Sequence, residues 1–469
     1  MKRPSNQRAV VAGVSFTLGY WFLLLVAALA AEQACAQQSA DSAAVEERVK
    51  LLVKQLDDDS FQVREDAEKA LAAIGERALD EVAAAAKSDS PEVRQRAGRI
   101  LKDLRRQSIG LRHLEVSQRD ELVGAVTVAV STDGKYVYSV GWKARGINTF
   151  RRNGETGLLE HVNSLVDAED LNGVVCLRLS PDGKSAVTAS FGSKTVCLFK
   201  RDVATGALEV SHVIRSDPAR GMELQFPIDA MYSLDGKFIY VLDDAAAAVV
   251  VLELGEDLKL KWVEAYTGRD GCFAGARGIA MHPDGKTVLV GSNSAGTLTV
   301  ADRDPATGRL TVRQVIADQQ DKVEGLAGAM SVCVSRDGKF VYTASGRFHG
   351  DNAVSAFQMG EDGKLSVIQE VANDKGELVD FLGGNDVVLS PDEKSLYASG
   401  TVSGSLACFN RDPKTGKLTY ISTLRNATTG VGPELGACGI DFSPDGKFLY
   451  LALEDEGAIS VFARTERKH

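Results

Sequence analysis

Proline and aromatic residues are scarce in this sequence: 11 prolines in 469 residues, and 6% aromatics. So few prolines exclude a collagen-like or polyproline chain, and 44% apolar with 25% charged residues exclude a disordered one. Long apolar runs are absent after the first 36 residues, which excludes a polytopic membrane protein. Positive charge is short as well. Lys and Arg number 54 against 64 Asp and Glu, no basic cluster stands out, and no nucleic-acid partner is expected. Cys-x-x-Cys-His does not occur, so a covalent haem site is excluded. The acidic alternation at Asp302 and Asp304 stops too soon for a calcium loop. Neither a metal nor a cofactor is expected. Glycine is plentiful, at 45 residues, and points to many tight turns.

Lys2, Arg3 and Arg8 precede an apolar stretch from Ala9 to Ala31, and Ala34-Cys35-Ala36 supplies the small residues that a signal peptidase reads. Residues 1–36 are therefore expected to be an export signal, and the protein periplasmic or extracellular. The run is also long enough to span a bilayer, so an anchor at 9–31 is the alternative, and the membrane is expected to be met only there. Six later cysteines (Cys176, Cys197, Cys272, Cys333, Cys408 and Cys438) are read mostly as buried thiols. Asn426-Ala-Thr428 is a glycosylation sequon.

Residues 43–106 are rich in Ala, Leu, Glu, Lys and Arg with apolar positions at helical spacing. Ser60-x-x-Val63-Arg64-x-x-Ala67 and Leu71 align with Ser90-x-x-Val93-Arg94-x-x-Ala97 and Leu101. Each Ser stands where an N-cap belongs, Pro91 suits a first helical position, and Gly75 can end a helix. Four helices in two hairpins are expected, resembling HEAT repeats. A protein partner is one role for this module; a solvated spacer is the other.

Residues 110–469 repeat seven times. A turn of the type Ser-Pro-Asp-Gly-Lys places its Asp at 133, 182, 235, 284, 337, 392 and 445. A period near 50 residues predicts a β-propeller, with four strands per repeat. Five and three residues before each turn Asp the chain is apolar, marking an inner strand. Fourth strands open at Leu208, Leu310, Leu365 and Leu418. The seventh repeat lacks a fourth strand, whereas Gly110-Leu111-Arg112-His113-Leu114 is an extra one at the other end, so this segment should complete the last blade. The fold class is mainly β: a seven-bladed propeller closed by its N-terminal strand, behind a small all-α module. The turn Asp residues themselves are read as turn chemistry.

A ligand site is expected where the loops meet the central channel, because departures from the repeat collect there. Seven residues before the turn Asp most repeats are apolar or Cys, but two carry Arg277 and Asn385; six before, Asp229 and Asp386 stand out. Blade five has a longer loop carrying Arg347, His349, Asp351 and Asn352, and blade one offers Lys143 and Arg145 at the matching rim. Arg277 would polarise a carbonyl, with His349 or Asp386 activating water. Asp229, Asn385, Arg347, Asp351, Asn352, Lys143 and Arg145 would bind substrate. A paired ion network plugging the channel accounts for the same charges.

The recurring Leu179-Ser-Pro-Asp-Gly-Lys184, Phe442-Ser-Pro-Asp-Gly-Lys447 and Arg411-Asp-Pro-Lys-Thr-Gly-Lys-Leu418 resemble the lactonase-type seven-bladed propeller family, including 6-phosphogluconolactonase-like proteins. The resemblance implies hydrolysis of a lactone, with a lactone or carbohydrate-derived ligand. It transfers no catalytic residue, since the shared residues are turns and strands. A non-catalytic interaction or ligand-binding scaffold is the alternative, and a redox propeller with a quinone-type cofactor a third.

Overall fold

The structure is a computed structural model that describes residues 44–267, 272–320, 323–425 and 436–465. The expected export segment and the Asn426 sequon lie outside these residues. The chain divides into two compact units, one reaching Ser108 and the other running from Ile109 to Glu466. Among the described residues, no helix is long and apolar enough to cross a membrane.

Among the described residues the first unit has four α-helices, 44–55, Phe61–Ile74, Leu79–Ala85 and Pro91–Ser108, with a short 3-10 turn at Gly75–Ala78. Their apolar stripes meet in a core that includes Val49, Leu56, Ala67, Leu71, Val82, Ala97 and Leu104. The two aligned segments are thus helices of one small bundle. Gly75 ends the Phe61–Ile74 helix at φ 73°, a conformation that disfavours any residue with a Cβ. Ser60 precedes that helix but its side chain makes no capping bond. Ser90 does more: its Oγ accepts from the Val93 N–H at 3.5 Å and donates to Asp57 at 2.8 Å. Arg96 is buried and satisfied by Glu65, Glu68 and Glu92 at 3.0, 2.9 and 2.6 Å.

The second unit is seven four-stranded antiparallel sheets. The inner strands are Ala125–Val130, Val174–Leu179, Pro227–Tyr232, Ala276–Met281, Ala329–Val334, Gly384–Leu389 and Ala437–Phe442. Fourth strands begin at Leu208, Leu310, Leu365 and Leu418 as expected. In the last blade the outermost strand is Leu111–Gln118, which pairs antiparallel with Ala458–Arg464 from Leu111↔Arg464 to Gln118↔Ala458. Closure of this kind removes the open ends of the ring. Every second strand is buried along its whole length, for example Tyr136–Gly141 and Phe340–Ser345. Tyr138, Tyr240, Tyr342, Tyr397 and Tyr450 are fully buried there, each contributing roughly 1.5–3 kcal/mol of apolar burial.

The turn Asp residues do more than close turns. Asp133 Oδ1 accepts from Ser131 Oγ at 2.6 Å and the Lys135 N–H at 3.0 Å, which fixes the turn locally. It also faces Arg201, at the end of the next blade's third strand, at 3.2 Å. Arg201 further donates to Tyr138 Oη at 2.7 Å and to the Gly183 carbonyl at 2.8 Å, while the Tyr138 hydroxyl donates to Gly206 O at 2.7 Å. The same clamp recurs with Arg303, Asp235 and Tyr240, and with Arg152, Asp445 and Tyr450. The expectation of turn chemistry alone is corrected: an aspartate facing a buried guanidinium of the neighbouring blade is half of an interblade ion pair. The Arg-Asp-x-x-Thr-Gly turn motif owes its Arg to this clamp.

Candidate functional site

Each inner strand carries a bulge at its start. The register against the second strand shifts between Ala125 and Thr127, Val174 and Cys176, Pro227 and Asp229, Ala276 and Gly278, Ala329 and Ser331, and Gly384 and Asp386. The residue in the bulge is the one seven before the turn Asp. A bulge re-aims a side chain, and here it turns Val126, Val175, Ile228, Arg277, Met330 and Asn385 into a cavity of about 760 Å³ that runs along the inner strands. The glycine two residues earlier has a local reason. A Cβ on Gly124 (φ 79°) would meet Lys143 and Trp142, and one on Gly328 (φ 79°) would meet the His349 carbonyl. The crowding is therefore between the inner strand and its own blade's second loop.

Most of the cavity's polar groups come from blades four to seven, joined by Arg178 of blade two and Asp229 of blade three. Arg277 pairs with Asp244 and sits over the Phe348 ring at 4.8 Å and near Phe226 at 5.9 Å. Burial, with Arg347 close by, pulls its guanidinium below the ordinary value despite Asp244. Arg347 donates to Asn385 Oδ1 at 2.8 Å and to Glu454 Oε2 at 2.5 Å. Against the effect of burial, Cys438 and Glu454 hold it more firmly protonated. Glu454 also accepts from Trp142 Nε1 at 2.9 Å.

A second polar tier lies deeper. Asp386 Oδ1 accepts from Ser331 Oγ at 2.7 Å and Val387 N at 2.9 Å, and its Oδ2 from Ile440 N at 2.9 Å. Burial nonetheless raises its carboxyl above the usual range. Asp441 accepts from Val130 N and Phe442 N, both at 2.8 Å, and burial pushes it up to about 6. Asp229 accepts from the Cys176 thiol at 3.0 Å and faces Arg178 at 3.5 Å. The Arg178 side chain is 46% exposed, within the cavity.

Arg277, Arg347, Asn385, Asp386 and Asp229 thus line one cavity. The other sequence candidates lie elsewhere. His349 is exposed on the blade-five loop and is not among the cavity's lining residues. Asp351 accepts from Ala327 N at 2.9 Å and Asn352 Oδ1 from Gly383 N at 2.7 Å, so both hold the loop in place. Lys143 is exposed, 5.1 Å from the Trp142 ring centroid, and Arg145 is an exposed turn residue at φ 55°. The sequence reasoning passed over Arg178 and Asp441, which both stand four residues before a turn Asp, and Asp244 and Glu454, which both stand nine after one. Comparing those columns across seven repeats would have exposed them, because the other repeats carry no charge there.

The fold and the cavity define the class: a seven-bladed propeller whose inner strands surround a cavity lined by acids and arginines. The family model for the lactonase seven-bladed β-propeller matches residues 104–422 and again 350–468, and the chain belongs to that family. The 6-phosphogluconolactonase of Bacillus subtilis is 29% identical over 149 residues, 32% of this chain and 40% of that one. The chain spans about half, or less, of the length of the curated relatives it matches. A Bacteroides uniformis structure, provisionally named a 6-phosphogluconolactonase, superposes with TM-score 0.57 at 24% identity over 73% of this chain and 92% of that one. The periplasmic gluconolactonase of Pseudomonas aeruginosa gives 0.56 at 18% identity over 75% and 93%. These two likenesses are of fold.

Proposed function

We propose that this protein opens the ring of a lactone ester at the channel mouth. The observation that carries it is the convergence of Arg277, Arg347 and Asn385 with the partly buried carboxyls of Asp386 and Asp441 in one cavity of a lactonase-family propeller. Arg277 would donate to the carbonyl oxygen as negative charge develops on it, an interaction strengthened by the partly dry site. Asp386, its carboxyl raised by burial, would take a proton from water as the water oxygen bonds to the acyl carbon. The ring C–O bond then breaks and the proton passes to the departing alkoxide, leaving a hydroxy acid. His349 is not needed for this step.

A second reading has its own support. Arg277 and Arg347 are both already matched by carboxylates, Asp244 and Glu454. A neutralised network of this kind suits a scaffold that binds a ligand without converting it. Proton release by the purified protein against sugar, phosphosugar and acyl lactones separates the two. Saturable turnover lost in Arg277→Ala, with an unchanged melting curve, supports hydrolysis. Absence of turnover across the panel refutes it.

Export to the periplasm or exterior and a protein partner for the helical unit belong to the same proposal. Sequencing of the mature N-terminus should begin at Gln37; an intact Met1 would support the anchor.

A further inference from the structure

The cavity is not polar all round. Blades one and two are apolar at two levels where other blades supply charged or polar groups, and blade three is apolar at the first of them. At the bulge these are Val126, Val175 and Ile228, against Arg277 and Asn385 on blades four and six. Nine residues past the turn Asp, blades one and two carry Trp142 and Phe191, where blades three and seven carry Asp244 and Glu454. Phe226 of blade three stands where six repeats have glycine. The aromatic rings form a continuous wall: Trp142 to Phe191 at 6.2 Å between centroids, then Phe191 to Phe226 stacked at 4.6 Å. All three are only partly buried, so part of each ring is open to the cavity.

The charges point the same way. Three arginines line the cavity region, and Arg277, Arg347 and Arg178 face Asp244, Glu454 and Asp229. Asp386 and Asp441 add two more acidic groups, which share Arg178 with Asp229. A phosphate dianion would be repelled by these carboxylates, whereas a neutral ring carries no charge for them to repel.

Resting on the hydrolase reading, we propose that the substrate is a neutral cyclic ester bearing an apolar, ring-sized substituent. The substituent lies against Trp142, Phe191 and Phe226, and the ester against Arg277 and Asn385. The recognition is stacking and apolar burial on one side and hydrogen bonding on the other.

The test measures binding and turnover separately. Binding of a phenyl-substituted δ-lactam, gluconolactam and 6-phosphogluconolactam is followed by calorimetry with the full-length protein. The lactams cannot be opened as esters, so binding is read whether or not the protein is an enzyme. The phenyl lactam is expected to bind at least tenfold more tightly than either sugar lactam. Phe191→Ala and Phe226→Ala are each expected to shrink that preference roughly tenfold, the loss of one aromatic contact. Phe191→Leu, which keeps apolar volume, should restore part of it and guards against a misfolded variant. Equal or tighter binding of a sugar lactam, or a preference unmoved in both alanine variants, overturns the proposal. Proton release from the matching lactones is then measured. Preference in binding with no turnover keeps this ligand class and refutes hydrolysis; turnover favouring the sugar lactone keeps hydrolysis and refutes the ligand class.

Discussion

Replacing Arg201 by Met tests how the blades are held together. Arg201 is 3% exposed, and its guanidinium serves Tyr138, Gly183 and Asp133 at once. Methionine keeps most of the stem volume but removes every donor. The buried Gly183 carbonyl is left without that partner, at about 1–3 kcal/mol. Breaking a buried ion pair costs about 3–5 kcal/mol. Asp133 softens this, because its side chain is 23% exposed and it keeps Ser131 and Lys135. The expected loss is therefore near the low end, about 3 kcal/mol. Arg464 is the internal control. It occupies the same place in blade seven and pairs with Asp392 at 2.7 Å, but that aspartate is 45% exposed. Arg464→Met should cost only about 0–1 kcal/mol. Urea denaturation of both variants, read as the change in midpoint at constant m, decides the matter. Equal losses, or an Arg201→Met loss below about 1 kcal/mol, would show that burial does not set the strength of these clamps.

Asp441 holds its proton more tightly folded than unfolded, since burial lifts it to about 6 from the usual 3.8; stability should fall as pH rises between those values, and Asp441→Asn should flatten that slope in melts taken across the range. Against the effect of burial, the Ser390 hydroxyl and Arg464 hold Asp392 at about 2; its contribution is present at neutral pH and lost as pH falls through 2, and carboxyl NMR should show it titrating higher in Arg464→Met. Gly328→Ala places a Cβ at φ 79° against the His349 carbonyl, and should lower stability by about 2 kcal/mol or more in thermal melts. Burial pushes the thiols of Cys197 and Cys438 up to about 12, so a thiol reagent should label them only after unfolding.

The architecture was legible because propeller repeats write themselves as columns. The seven turn aspartates gave the blade number, and the missing fourth strand of repeat seven with its surplus copy at Leu111 gave the closure. Arg277, Asn385, Asp229 and Asp386 were legible for the same reason: the repeat pattern does not ask for them. What failed was distance across blades. The Arg201–Asp133 and Arg303–Asp235 clamps span 68 residues each, an offset larger than the period, so neither partner looks unusual in its own column. His349 misled because a longer loop marks a departure from the repeat without saying which way its side chains point. The loop turns Arg347 inward onto Asn385 and leaves His349 at the surface.

The closing strand sets an order in time. Leu111–Gln118 leaves the ribosome ahead of every other strand of the ring, and its partner Ala458–Arg464 emerges about 350 residues later. At ordinary rates of synthesis that is a wait of roughly 20–70 s. During it the first strand has a bare hydrogen-bonding edge and the six completed blades have no closure. A nascent chain in this state is open to pairing with a neighbour on the same message. Shielding that edge until the final strand arrives would favour closure of the ring over pairing with a neighbour.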